Sequence, residues 1–276
     1  MAVGRLTLGA IGDNCIDRYV PPLRADTVGG NALNVAVGFV RAGHTARYLG
    51  AVGDDEDGRF IVASARAAGV DVDDVQVLPA PTGVTAVALL PDGDRRFLDE
   101  SYGASALYRL DVEGLEQLRG CGWVHAANLA GAARAVRELA AAGHRLSYDF
   151  SDHGDDDLRR ALCPALDVAF FSAPRVTDAE AYAIAEAARS DGAPLAVVTR
   201  GAAGSLAAGA EGHLLQEALP AEVVDTLGAG DAFISAFIAS HLAAAPTQVA
   251  LQRGAEPAAR TCEIVGPWPT AKEVRA

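Results

Sequence analysis

The chain has 276 residues, 50% hydrophobic and 21% charged, a composition that supports a buried core and excludes disorder. No uninterrupted apolar run approaches the ~20 residues of a bilayer-spanning helix, and residues 1–12 break at glycines too early for a leader, so a cytoplasmic protein without a membrane partner is expected. Thirty-six acidic residues against 23 basic ones give a net charge of −13, a field that repels nucleic acid, and no local basic patch offsets it.

Lys272 is the single lysine and all other basic residues are arginines. This excludes a G-x-x-x-x-G-K-[ST] phosphate loop, a strand lysine of the protein-kinase type and an internal Schiff base. Any phosphate would have to be met by backbone N–H groups, arginine or a metal. The four cysteines, Cys15, Cys121, Cys163 and Cys262, show no C-x-x-C spacing, and the six histidines no H-E-x-x-H pattern. They read as buried thiols and scattered imidazoles, and no preformed metal site is expected.

In chain order, an apolar run at residues 6–11 predicts the first strand. No G-x-G-x-x-G follows it, which disfavours a dehydrogenase. Residues 16–20 read as an extra strand, and residues 31–42 as a helix opened by Gly29-Gly-Asn-Ala-Leu-Asn34. A run at 46–52 predicts one strand and 58–68 a helix. Residues 84–90 and 95–98 read as two further strands joined by Pro91-Asp-Gly-Asp94, a tight-turn signal. Strands at 123–127, 146–150, 168–172 and 195–199 then alternate with helices at 130–142, 178–190 and 232–244. This rhythm predicts a single α/β domain over residues 1–276, a doubly wound and mainly parallel sheet. The strands that interrupt it, within segments 16–27 and 82–100, predict a small β-flap acting as a lid.

The stretch Val224-Asp-Thr-Leu-Gly-Ala-Gly-Asp231 enters the last predicted helix. Gly228, Ala229 and Gly230 there allow backbone N–H groups to converge where the helix dipole is positive, which makes an anion hole. Asp231 then stands where it can take a proton from an attacking hydroxyl, an arrangement suited to phosphoryl transfer. Taken as a bare G-x-G-D, the same residues also read as a turn followed by a helix cap.

The full D-T-x-G-A-G-D string resembles the second signature of the PfkB, or ribokinase-like, family of carbohydrate kinases, and Gly29–Asn34 resembles the first. The resemblance spans residues 6 to 268 and implies a ribokinase-like fold that uses ATP and Mg²⁺ on a small sugar. It implies that Asp231 is the base and that Gly228, Ala229 and Gly230 hold the transferring phosphoryl. Asp13, Asp17, Gly30, Asn31 and Asn34 would grip the sugar. Val197-Val-Thr-Arg-Gly-Ala-Ala-Gly204 resembles the T-x-G-x-x-G nucleotide stretch, placing Thr199, Arg200, Gly201 and Gly204 with Asp225 and Thr226 along ATP. Alone that stretch reads as a turn, and Arg200 is open to two readings, phosphate contact or solvation. By analogy residues 253–268 would close over the adenine, and lid-to-lid pairing would make a homodimer.

One departure concerns the metal. Where many members carry N-x-x-E, this chain reads Phe171-Ser-Ala-Pro-Arg175, which leaves Asp178, Glu180 or Asp225 as substitutes in ordering Mg²⁺. The combination of Ile11-Gly-Asp-Asn-Cys-Ile-Asp17, Tyr148-Asp-Phe-Ser-Asp152 and Phe171-Ser-Ala-Pro174 resembles the bacterial fructoselysine 6-kinases, which phosphorylate the 6-hydroxyl of a fructosamine. The acidic flap residues Asp92, Asp94, Asp99 and Glu100 then either complement a protonated substrate amine or simply solvate an edge. Kinases for fructose, ribose, ketodeoxygluconate or a nucleoside, and a sugar sensor with weak catalysis, are the alternatives.

Overall fold

The computed structural model describes residues 6–152 and 155–270; Lys272 and His153 lie outside them. In chain order the strands are β1 (Thr7–Gly12), β2 (Cys15–Tyr19), β3 (Asp26–Gly29), β4 (Thr45–Leu49), β5 (Ala51–Gly53), β6 (Gln76–Leu78) and β7 (Val84–Leu89). They continue with β8 (Arg95–Ser101), β9 (Trp123–Ala127), β10 (Leu146–Asp149), β11 (Val168–Ser172), β12 (Ala196–Thr199), β13 (Ser205–Gly209) and β14 (Gly212–Gln216). The helices are α1 (Asn31–Arg41), α2 (Glu56–Ala67), α3 (Val112–Gln117), α4 (Ala132–Ala141), α5 (Asp156–Leu162), α6 (Asp178–Ser190), α7 (Ala229–Leu242) and α8 (Thr247–Thr261).

The main sheet has the order β14-β13-β12-β11-β10-β9-β1-β4. It is parallel from β4 to β12 and antiparallel through β13 and β14. Its strands are apolar on both sides because helices cover both faces. On one face α1, α7 and α8 bury Leu33, Phe39, Phe233, Phe237 and Leu251 against Leu8 and Phe170. The opposite face packs Val136 and Leu139 of α4 and Ala185 of α6 against Val124 and Val198. The lid is a second sheet of order β3-β2-β7-β8, and β5 and β6 form a third, parallel pair.

Several helix starts follow from local capping. Asp55 accepts a hydrogen bond from Gly58 N, which starts α2 two residues before the predicted 58, and Thr177 with Glu180 closes a capping box at α6. The run at 46–52 is two strands rather than one. Asn14 Nδ2 donates to the Ala51 carbonyl at 2.8 Å, which draws the chain out of the main sheet after Leu49 and into the pairing of β5 with β6. The strands β3, β6, β13 and β14 and the helices α3, α5 and α8 have no counterpart in the predicted elements. α8 carries Pro257 in its interior, which interrupts the helical signal, yet the helix continues to Thr261.

Candidate active site

All parallel strands of one sheet end at one edge, and side chains just past those ends converge there. Asp13 follows β1, while Asp149, Ser172 and Thr199 are the last residues of β10, β11 and β12. With the start of α7 and the inner face of the lid they line a cavity of about 550 Å³. A wider groove of about 800 Å³ runs between α1, α7 and α8 and shares Asn34, Gly228 and Asp231 with it. That groove is lined by Ala232, Ala236 and Ala239 together with Arg41, Arg253 and Arg260, whereas the carboxylates Asp13, Asp17 and Asp149 face the smaller cavity.

α7 begins at Ala229, three residues earlier than the periodicity indicates, because Gly228 takes a left-handed φ of 79° as its N-cap. A Cβ at Gly228 would lie 2.4 Å from the Pro267 side chain, so conformation and space both demand glycine. Ala232 N closes on Gly228 O at 2.9 Å and Ala229 N on Thr226 O at 3.3 Å. The N–H groups of Gly228, Gly230 and Asp231 make no intramolecular bond among the described residues. The open donors are therefore shifted by one from the expected set: Ala229 closes the turn and Asp231 supplies the third.

Asp231 sits in that first turn and accepts a hydrogen bond from Asn34 Nδ2 at 2.7 Å. Trp268 Nε1 donates to the Asn34 carbonyl oxygen at 3.0 Å, which turns the amide so that its NH₂ faces the carboxylate. Trp268 thus packs behind the Asn34–Asp231 pair. Burial holds the Asp231 carboxyl well above the usual carboxylate range, the Asn34 bond pulls it back down, and Asp149 and Asp13 push it up further.

Three of the other expected sugar-side residues surround the start of α1. Gly30 has φ 101° and its Cβ position is 2.4 Å from Asn14 Cα. Asp13 caps α1 from outside the helix, accepting from Asn31 N at 3.2 Å, Ala32 N at 3.1 Å and Asn128 Nδ2 at 3.0 Å. The Asn31 amide donates to Asp149 Oδ2. Asp17 reaches the cavity from β2 in the lid; its nearest donor is the Cys15 thiol at 3.4 Å. Burial raises the Asp17 carboxyl to about 7 and that of Asp149 to about 6. Asp13, Asp17, Asp149 and Asp231 are all buried or nearly so, and among the described residues none makes an ion pair.

The expected nucleotide residues are divided. Thr199 lines the cavity. Gly201 and Gly204, with φ of 56° and 84°, form the tight turn from β12 to β13. Arg200 is neither solvated nor free for phosphate: it is 3% exposed, paired with Asp178, and donates to the Ala203 carbonyl at 2.9 Å. Asp225 is 0% exposed. Its carboxylate accepts from the Tyr19 hydroxyl, from Leu227 N at 3.0 Å and from Gly266 N at 2.8 Å, so it is a structural anchor rather than a nucleotide-facing group. Thr226 accepts from Arg95 Nη1 at 3.0 Å and donates to Asp94 at 3.2 Å, and its N–H meets the Gly93 carbonyl at 3.1 Å. Tyr19 and Thr226 therefore fasten both halves of the lid onto the loop before α7.

The residues present do not form a metal cage. Among the described residues no group of three or more His, Cys, Asp or Glu is placed to hold an ion. The three substitutes are also engaged, Asp178 by Arg200, Glu180 in its capping box and Asp225 in its anchor. Arg175 instead points cationic chemistry at the cavity, together with Arg95 and Arg96. Of the acidic flap, Asp94 and Glu100 line the cavity and Asp92 and Asp99 do not. Asp149 was legible only as a carboxylate ending an apolar strand; Arg95 carried no sequence signal, because its partner Thr226 is 131 positions away.

The comparisons with known proteins agree with this geometry. A fructoselysine 6-kinase of Escherichia coli (strain K12) is 38% identical over 95% of this chain and 99% of its own. A fructosamine kinase of Bacillus subtilis (strain 168) is 31% identical over 95% and 92%. An Arabidopsis thaliana ribokinase solved with ribose and ATP superposes with a TM-score of 0.81 over 96% of this chain and 94% of its own, at 21% identity, which establishes the ribokinase-like fold. Residues 24–270 match the model of the pfkB family carbohydrate kinases, and the chain belongs to that family: it is an ATP-dependent sugar kinase.

Proposed function

We propose that the chain transfers the γ-phosphoryl of ATP to the 6-hydroxyl of a fructosamine such as fructoselysine. The observation that carries this reading is the cavity itself, where three buried carboxylates, Asp13, Asp17 and Asp149, and the half-buried Asp231 face a sugar-sized space, with no ion-pair partner among the described residues. A fructosamine brings a protonated secondary amine, and that charge offsets the cost of keeping Asp13, Asp17 and Asp149 buried as anions; neutral fructose does not. The names of the relatives from Escherichia coli and Bacillus subtilis support the same substrate class.

In this reading Asp231 accepts the proton of the 6-hydroxyl as its oxygen bonds to the γ-phosphorus, and the bond from that phosphorus to the β-γ bridging oxygen breaks to release ADP. The N–H groups of Gly228, Gly230 and Asp231 hold the phosphoryl oxygens. Arg95 brings a cation from the lid to the same loop. Thr199, Gly201 and Gly204 flank the nucleotide, and Mg²⁺ enters with ATP, since no protein cage awaits it. The lid, pinned by Tyr19 and Thr226, keeps water from competing for the phosphoryl group. The homodimer belongs to this proposal too: β8 is an edge of the lid sheet and exposes Phe97 and Leu98.

The test is ADP formation by the purified protein with Mg-ATP and fructoselysine, other fructose–amino acid adducts, fructose, ribose, ketodeoxygluconate and adenosine. Preference for an adduct supports the reading. Preference for free fructose or another sugar moves the chain to a different member of the family, and ATP binding without turnover on any sugar marks a sensor.

A further inference from the structure

A series of hydrogen bonds runs from the middle of the main sheet to the sugar end of the cavity. Trp123 Nε1 lies 2.8 Å from Ser147 Oγ, and the same oxygen lies 2.9 Å from His125 Nδ1. His125 Nε2 lies 3.3 Å from Asn31 Oδ1, and Asn31 Nδ2 meets Asp149 Oδ2. His125 and Ser147 are register partners on β9 and β10, and Trp123, two residues earlier, faces the same side. Trp123 and His125 are fully buried and Ser147 nearly so.

Both ends of the series allow one role only. An indole N–H can donate and cannot accept, while an ionised carboxylate accepts and cannot donate. The direction is forced from the Asp149 end: the Asn31 NH₂ donates to the carboxylate, so the Asn31 oxygen faces Nε2 and that nitrogen carries the hydrogen, leaving Nδ1 of the neutral ring to accept from Ser147. Trp123 donates to Ser147, Ser147 to His125 Nδ1, His125 Nε2–H to the Asn31 oxygen, and the Asn31 NH₂ to Asp149. The reverse arrangement would set the Asn31 oxygen against the Asp149 carboxylate, acceptor against acceptor. Burial keeps the imidazole neutral, its pKa lowered to about 3, so no second proton disturbs the order.

We infer that His125 is a positioning residue of this kinase. As the Nε2–H tautomer, with Nδ1 against Ser147, it holds the Asn31 amide with its NH₂ on Asp149, so that Asp149 keeps a fixed orientation toward the sugar. The inference rests on the sugar-side assignment of Asn31 and Asp149 made above. His125 touches neither sugar nor nucleotide in this arrangement; it acts through Asn31.

Two variants separate positioning from mere packing. In His125→Gln the amide nitrogen takes the place of Nε2 and still donates to Asn31; in His125→Asn it takes the place of Nδ1 and does not. With fructoselysine and fructose as probes, His125→Asn is expected to raise the sugar KM about 10-fold and His125→Gln by no more than about 3-fold, with the KM for ATP unchanged in both. Side-chain ¹⁵N NMR of the wild-type protein is expected to show the Nε2–H tautomer, a readout that does not depend on a variant folding. An Nδ1–H tautomer, equal losses in the two variants, or a loss shared equally between sugar and ATP would overturn the inference. Asn31→Ala and Asp149→Asn report on the underlying assignment: if both leave the sugar KM unchanged, the sugar-side reading fails and the inference with it. If both raise it while His125→Asn does not, the inference alone fails.

Discussion

In the proposed reaction Asp231 joins two demands that pull against each other, a base that must be ionised and a burial that favours the neutral acid. The Asn34 amide is the local answer, donating to the carboxylate from a position held by Trp268. Asp231→Asn keeps the shape and the contact with Asn34 but cannot take a proton. Its turnover is expected to fall about 10³-fold with the sugar KM nearly unchanged, measured by steady-state ADP release. Because the Asp231 carboxyl is raised, kcat of the wild type should climb with pH on a limb above the ordinary carboxylate range.

Asp17 carries a stability consequence. Its carboxyl is raised to about 7 in the folded chain by burial, while in the unfolded chain it ionises near 4. The folded state therefore holds the extra proton between those values, and its stability is full below pH 4 and declines as pH rises through 7. At pH 8 the group is an anion without a strong donor. Asp17→Asn removes that penalty, on the order of 2–4 kcal/mol. Thermal unfolding should show a higher midpoint for the variant at pH 8 and little difference at pH 4, at the expense of sugar affinity.

At the scale of elements, two contacts decide whether the anion loop works. The first is the left-handed turn at Gly228. Gly228→Ala must strain the backbone and displace Pro267, costing about 1–3 kcal/mol and moving the N–H groups off their common focus. Turnover is expected to drop about 100-fold, far more than KM for either substrate. The second is the docking of the lid hairpin on Thr226. Thr226→Val keeps the volume but loses the bonds to Arg95 and Asp94. A looser lid admits water, so the ratio of sugar-independent ATP hydrolysis to sugar phosphorylation should rise roughly 5- to 10-fold. An unchanged ratio would mean that Tyr19 and the Gly93 carbonyl alone hold the lid shut.

For the whole molecule, the parts of the fold that were legible are those whose signal is local. Apolar runs marked the core strands β1, β9, β10, β11 and β12, and helical periodicity marked α1 and α6 almost to the residue. The hairpin of β13 and β14 stayed hidden because its alanines and glycines carry little strand preference, and α8 because of Pro257. At the site, the D-T-x-G-A-G-D string marked Gly228–Asp231, which the structure places at the start of α7 beside the cavity. Arg95, Tyr19 and His125 carried no such mark, since each matters through a partner on a distant segment. Arg200 and Asp225 were misassigned for the converse reason: a motif position does not say whether a neighbour has already taken the charge. The exposed β8 edge leads to an expectation for assembly. Sedimentation equilibrium should give twice the chain mass, and Phe97→Glu should return the monomer; a monomeric wild type at micromolar concentration would remove the lid-to-lid pairing.

The bond between Trp268 and Asn34 joins positions 234 residues apart. Ribosomes extend a chain at roughly 5–20 residues per second, so α1 leaves the exit tunnel well before the residue that orients its amide has been made. The Asn34 amide therefore takes its orientation toward Asp231 only after residue 268 has emerged. A chain cut before Trp268 keeps both Asn34 and Asp231 but lacks the donor that turns one toward the other.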